Sequence, residues 1–243
     1  MKNPLCELTV VMPVYNEETC ICQVIDIWQA TLTRLNIDFR MIILNDGSSD
    51  ATGEKLAAYA GNPRIKVINK SNSGHGPTIS LGYRRAVDQA EWVFQVDSDD
   101  EMGAEHFEAL WKVRDGYAAL FGFRSGRQQN AARRLISSVS RLAVRVLFAA
   151  GVKDVNTPYR LMRSVYLKQI IEQIPADTFA PNVLISGLFA ASGRPVCNLP
   201  IPHEGRKTGQ VSIVKWSLVR AAAKALLQTI AFSLKSSRKT MNS

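Results

Sequence analysis

Short apolar runs alternate with helical patterns through the first half of the chain. Leu8 to Met12 reads as a buried strand, Pro13 to Glu17 as a polar break, and Glu18 to about Thr33 as a helix. Phe39 to Leu44 is a second strand, ended by the turn formers Asn45-Asp46-Gly47-Ser48-Ser49-Asp50, and a helix follows to about Ala60. Ile65 to Ile68 is a third strand. Asn72 to Gly76 is a glycine-containing loop, and Pro77 suits the first turn of a helix running to about Ala90. Trp92 to Val96 is a fourth strand, which runs into Asp97-Ser98-Asp99-Asp100-Glu101. This β-α-β rhythm predicts an α/β fold with a mostly parallel sheet and right-handed crossovers. Ligands of such sheets bind beyond the carboxyl ends of the strands. The clusters Tyr15-Asn16-Glu17, Asn45 to Asp50 and Asp97 to Glu101 all fall at those ends, so they are expected to converge on one crevice.

The second half is less regular. Ala119 to Phe123 and Pro195 to Ile201 read as strands, and Arg163 to Gln173 and Asn182 to Ala191 as helices. Ala131 to Ala150 carries Leu135, Val139, Leu142 and Val146 on one helical face and Arg134, Arg141 and Arg145 on another. From Ser212 to Leu234 the apolar positions Ile213, Trp216, Val219, Ala223, Leu226, Leu227, Ile230 and Leu234 share one side, opposite Ser217, Arg220, Lys224, Gln228 and Lys235. A basic amphipathic helix of this kind fits either a membrane interface or the protein's own core. These patterns divide the chain into a domain over 1–211, with halves 1–121 and 122–211, and a basic C-terminal helix and tail over 212–243.

Composition adds the partner. The 243 residues are 46% apolar and 21% charged, enough to bury a full core. The net charge of +9 is unevenly placed: residues 1–121 carry 11 basic and 17 acidic side chains, and residues 122–243 carry 19 and 4. The second half therefore suits a polyanion, such as a phosphate or an anionic lipid surface. No nucleic-acid motif accompanies the basic residues, so nucleic acid is not the expected partner. Cys6, Cys20, Cys22 and Cys197 form no paired CxxC motifs, and His75, His106 and His203 are scattered, which excludes a recognisable zinc site and suits reduced thiols. The N-terminal apolar run is too short for a signal peptide. No uncharged apolar stretch reaches the length of roughly 18 residues that spans a bilayer.

The Asp97-Ser98-Asp99 run places two carboxylates at a strand end, with Asp100 and Glu101 beside them. Crowded carboxylates repel unless a cation neutralises them, and hard cations such as Mg2+ or Mn2+ take oxygen ligands. A diphosphate leaving group needs the same cation.

Taken together, Val10 to Glu18 (VVMPVYNEE), Leu44 to Asp50 (LNDGSSD) and Asp97-Ser98-Asp99 resemble, in order and spacing, the family 2 glycosyltransferases. Within that family the chain is most similar to the dolichol-phosphate mannosyltransferase and undecaprenyl-phosphate glycosyltransferase group, over roughly residues 7–215. The resemblance implies a GT-A fold. It implies that Pro13, Tyr15 and Glu17 line the nucleoside pocket, that Asp46 contacts the base, and that Asp97 and Asp99 form the metal–diphosphate motif. Glu101, at a position that is often Gln, would complete the metal shell. The chain departs from the pattern at Asn45, where Asp is commoner, and at Asp100-Glu101.

Further along, Gly122-Phe123-Arg124 resembles the Gly-Ser-Arg of the lipid-phosphate enzymes, and Arg133 to Ser137 their Arg-Lys-Leu-Ile-Ser. Asp154 to Arg163 resembles their Asp-x-x-Ser-Gly-Phe-x-x-x-Arg, with Thr157-Pro158-Tyr159 substituted, and Arg206 with Gly209 and Ser212 their late Arg-x-x-Gly-x-Ser. Arg124, Arg133, Ser137 and Arg206 are thereby the expected acceptor-phosphate residues, and Asp99, Arg124 and Arg133 the expected catalytic ones. A lipid monophosphate, with a second pKa of about 6, is already mostly anionic and needs arginines to aim it rather than a base to deprotonate it. The implied activity is inverting transfer of a sugar from a nucleotide-sugar donor to a polyprenyl phosphate, by an enzyme peripheral on the cytoplasmic face of the cell membrane. The absence of a spanning run leaves room for an integral membrane partner. The rival expectations are a soluble family 2 transferase acting on a glycan hydroxyl, with Asp100 or Asp154 as base, and, more remotely, a non-catalytic nucleotide- or nucleic-acid-binding protein.

Overall fold

The structure is a computed structural model of the chain, and residues 5–125 and 151–202 are the ones described. The segments expected to be helical at 131–150 and 212–234, with Arg133, Ser137 and Arg206, lie outside them.

The strands are β1 (Cys6–Val14), β2 (Phe39–Asp46), β3 (Ile65–Lys70), β4 (Ala90–Gln95), β5 (Ala119–Ser125), β6 (Arg160–Arg163) and β7 (Val196–Pro202). The helices are α1 (Ile21–Arg34), α2 (Thr52–Ala57), α3 (His75–Ala86), α4 (Phe107–Val113), α5 (Ser164–Ile171) and α6 (Pro181–Ala191). One seven-stranded sheet runs in the order β3-β2-β1-β4-β6-β5-β7 and draws strands from both halves of the chain. The first four strands pair in parallel, β6 is antiparallel to both β4 and β5, and β7 returns parallel to β5.

Side chains alternate across the sheet, so each strand feeds two cores. Leu8, Val10, Met12 and Val14 of β1 join Trp92 and Phe94 of β4 on the face covered by α1 and α4. Helix α1 adds Ile21, Val24, Ile25, Trp28 and Leu32, the stripe its spacing predicts. Phe94 is the centre of an aromatic cluster, with ring centroids 5.2 Å from Trp28, 4.7 Å from Phe107 and 4.8 Å from Tyr159. On the other face, Val11, Val93 and Phe121 meet Ile79 and Tyr83 of α3, Leu167 and Ile171 of α5, and Leu184 and Phe189 of α6.

The expected strands and the helices of the first half are all present, with three differences. Strand β1 runs through Pro13, which the sequence placed in a polar break. The Val11 carbonyl accepts from Val96 N, and Pro13 faces the same side two residues later, beyond the last registered residue of β4, so no ladder hydrogen bond is lost. Strand β6 was not anticipated, because Arg160 and Arg163 at its two ends disguise a four-residue strand. Arg163 is accommodated by an ion pair to Glu91 at 2.8 Å and by the face of Trp92 at 4.6 Å. Helix α4, which supplies Phe107 and Leu110 to the core, is the third.

Candidate active site

The carboxyl ends of β1 to β4 bring together the loops singled out in the sequence. After β1, Asn16 adopts a left-handed conformation (φ 54°), and its Oδ1 accepts Ser49 N at 2.8 Å. Asn16 N donates to Ser48 Oγ at 3.0 Å, and Glu17 N to Thr52 Oγ1 at 2.9 Å. These bonds stitch the loop after β1 to the loop after β2. Pro13 and Glu17 are buried beneath this seam, and Tyr15 is exposed. Cys20 links the seam to the third cluster: its thiol donates to Glu17 Oε2 at 3.4 Å and lies 3.7 Å from the Ser98 carbonyl.

Asp46, the last residue of β2, is buried. Its Oδ1 pairs with Lys70 Nζ and accepts Ser73 N at 2.9 Å, and its Oδ2 accepts Gly74 N at 2.9 Å. Burial opposes ionisation of Asp46, but the Lys70 ammonium and the Ser73 N–H outweigh it and hold the carboxyl below its ordinary range. Lys70 is itself held by the Ser71 carbonyl and Ser73 Oγ, both at 2.7 Å. Gly47, which follows Asp46, turns the chain at φ +68°, and a Cβ there would stand 2.6 Å from Asn72 N.

Beyond β4, Asp97 Oδ1 lies 3.1 Å from His75 Nε2 and accepts Gln95 Nε2 at 3.3 Å. Desolvation again opposes the charge, and His75, Arg124 and the Gln95 amide overcome it, so Asp97 is held as a carboxylate. Asp99 Oδ1 accepts Glu101 N at 3.2 Å, and Asp100 bridges them at φ 53°. Asp97, Asp99 and Glu101 thus share one turn, but among the described residues no three His, Cys, Asp or Glu side chains close into a metal cage. The oxygen-only, half-buried donor set of Asp97 and Asp99 suits a hard cation.

On the other side of β4, Arg124 near the end of β5 places its Nε 3.7 Å from Asp154 Oδ2, and its charge acts on Asp97. That distance is too long for a hydrogen bond, and the buried Arg124 Nε has no hydrogen-bond partner among the described residues. The structure therefore joins Pro13, Tyr15, Glu17, Asp46, Asp97, Asp99, Glu101 and Arg124 along one edge of the sheet. Sequence reasoning missed Lys70, His75 and Gln95. Lys70 had a faint signal as the charged end of a strand, and the other two had none.

The sequence model of glycosyl transferase family 2 matches residues 9–170, two thirds of the chain. The chain belongs to this family. Its curated relatives include an undecaprenyl-phosphate 4-deoxy-4-formamido-L-arabinose transferase of Pseudomonas fluorescens, 26% identical over 210 residues that cover 85% of this chain and 60% of that protein. A protein of the same name from Yersinia pestis is 25% identical over 224 residues, covering 90% and 65%. This family 2 chain thus spans about 60% of the length of the first of these relatives. Among solved structures, mannosyl-3-phosphoglycerate synthase from Rubrobacter xylanophilus superposes with a TM-score of 0.68 at 12% identity, over 96% of this chain and 75% of that one. Glucosyl-3-phosphoglycerate synthase from Mycobacterium tuberculosis, in complex with Mn2+, UDP-glucose and glycerol 3-phosphate, does so at 0.65 and 15%, over 94% and 80%. These likenesses establish the GT-A fold that the resemblance implies. No helix among the described residues is long and apolar enough to cross a membrane.

Proposed function

We propose that this chain is an inverting glycosyltransferase that moves a sugar from a nucleotide-sugar donor to a polyprenyl phosphate at the cytoplasmic face of a membrane. The observation that carries the reading is the convergence of Asp46 with Asp97 and Asp99 at one sheet edge, facing Arg124 across β4, in a chain whose relatives are named as undecaprenyl-phosphate sugar transferases. A structural neighbour crystallised with Mn2+ and UDP-glucose supports the same donor chemistry.

In this reading Pro13, Tyr15 and Glu17 border the nucleoside, and Asp46, steadied by Lys70 and the Ser73 and Gly74 N–H groups, meets the base. Asp97 and Asp99, with Glu101 beside them, would hold Mg2+ or Mn2+, which supplies charge neutralisation at the diphosphate. Arg124, joined by Arg133, Ser137 and Arg206, receives the acceptor phosphate and aims one of its oxygens at the anomeric carbon. That oxygen forms the new C–O bond while the bond to the donor diphosphate breaks. The electron pair leaves with the nucleoside diphosphate, and the anomeric centre inverts. No protein base is required, because the nucleophile arrives ionised. Positioning and electrostatics carry the step. The basic amphipathic segment at 212–243 would rest on the membrane, alone or beside an integral partner.

The deciding experiment incubates the protein with Mg2+ or Mn2+, a short-chain polyprenyl phosphate and a panel of nucleotide sugars, and follows the sugar into the organic phase. Lipid-linked product that disappears in Asp99→Ala supports the reading. Release of nucleoside diphosphate only with a soluble glycan acceptor overturns it in favour of hydroxyl transfer.

A further inference from the structure

Gln95 is the last residue of β4, and it is fully buried on the α3 and α6 face, where Val93 precedes it. A glutamine in an apolar core must have its amide satisfied. Its Oε1 takes two donors, Tyr83 OH at 2.6 Å and Asn182 Nδ2 at 2.9 Å. Burial raises the Tyr83 pKa, so the phenol keeps its proton and remains a donor. With the carbonyl oxygen so occupied, the Nε2 group is left facing Asp97 Oδ1 at 3.3 Å. Turning the amide over would set the Gln95 oxygen against an Asp97 carboxylate oxygen, which only accepts, so the Asp97 end dictates the orientation while Tyr83 and Asn182 hold the amide in place.

Asn182 has its own anchor. Its backbone carbonyl accepts Arg160 Nη1 at 3.2 Å, and its Oδ1 lies 3.1 Å from Tyr83 OH. The chain of polar contacts therefore runs from the interior of the second half, through α6 and α3, to the edge where Asp97 emerges. Gln95 and His75 both engage Oδ1 of Asp97, and among the described residues Oδ2 takes no hydrogen bond.

We infer that Gln95 is a positioning residue: its amide, locked by Tyr83 and Asn182, fixes the Asp97 rotamer in which Oδ1 is tied inward and Oδ2 is presented to the cation and diphosphate of the donor. The inference rests on the reading of Asp97 as part of that site. A purely structural glutamine would affect folding stability alone. A positioning glutamine alters cation affinity, since partners that orient a metal-binding carboxylate typically change affinity by about 10–100-fold when removed.

The test measures binding of Mn2+ alone, from the loss of the free-ion electron paramagnetic resonance signal, alongside thermal unfolding. Gln95→Met keeps the volume and removes the amide; Tyr83→Phe removes one of the two donors to Oε1; Asp97→Asn reports on the site itself. The expected result is strong loss in Asp97→Asn, roughly tenfold weaker binding in a folded Gln95→Met, and a smaller loss in Tyr83→Phe. Wild-type affinity in folded Gln95→Met, with Asp97→Asn defective, overturns the positioning role and leaves the site intact. Should Gln95→Met not fold, wild-type affinity in Tyr83→Phe is the overturning result. Wild-type affinity in Asp97→Asn removes the site and the inference together.

Discussion

Lys70, at the end of β3, reaches the Asp46 carboxylate at the end of β2 and closes the loop between β3 and α3 around it. The pair neutralises a buried acid at the carboxyl end of the sheet. It also holds the Ser73 and Gly74 N–H groups against both carboxylate oxygens.

Lys70→Met should destabilise the protein by about 2 kcal/mol near neutral pH, the scale of a hydrogen bond to a charged group left unmade. The pH dependence has a definite sign. Asp46 has a depressed folded pKa, so its stabilisation is complete above the unfolded carboxyl value of about 3.9 and is lost as pH falls through the lower folded value. The gap between wild type and variant should therefore narrow on acidification. Urea unfolding at pH 7 and at about pH 3 checks this, and a gap that widens in acid would refute it.

Asp97→Asn and Asp99→Asn should each lower sugar transfer by at least about 100-fold, as expected when charge stabilisation of a leaving group is removed. Both residues are half-exposed at the sheet edge, so melting temperatures should stay close to wild type. Kinetics with saturating donor, paired with thermal melts, separates the two effects.

In the proposed mechanism Arg124→Ala should weaken the use of acceptor more than that of donor, because Arg124 lies near the end of β5, on the opposite side of β4 from Asp46 at the end of β2. An increase of roughly tenfold to 100-fold in the acceptor term, with donor binding little changed, is expected for the loss of an Arg–phosphate contact. Initial rates varied in each substrate decide the matter.

Gly76→Ala tests a close approach. A Cβ on Gly76, in the first turn of α3, would stand 2.1 Å from the Phe179 carbonyl and 2.5 Å from that of Thr178. Backbone cannot yield as a flexible side chain does. The expected cost is about 2 kcal/mol, within the range for overpacking, read as a lowered urea midpoint.

Arg160 is fully buried and has no ion-pair partner among the described residues. Its guanidinium instead donates to the carbonyls of Val155, Thr157 and Asn182 and to Ser186 Oγ. Arg160→Leu would strand those acceptors and should cost about 3 kcal/mol. Arg160→Lys should recover only part of it, since an ammonium cannot span the same fork of acceptors. Chemical denaturation of the two variants provides the comparison.

The sequence by itself determined the elements whose signal is periodic and local. Short apolar runs marked β1, β2 and β4, the helical pattern from Glu18 to about Thr33 marked α1, and the polar clusters behind the strands marked the crevice. Those features are set by neighbours two to four residues away, which is the range a pattern can report. Tertiary structure alone decided where β6 lies, because Arg160 becomes tolerable in a core only when carbonyls from α6 and the preceding loop are placed around it. It also decided the partners of Asp46 and Asp97. Lys70 is 24 residues from Asp46, His75 is 22 from Asp97, and Asn182 is 87 from Gln95. Side-chain hydrogen bonds between strands and helices so far apart in the chain depend on how the layers pack, and packing leaves no periodic trace in the sequence.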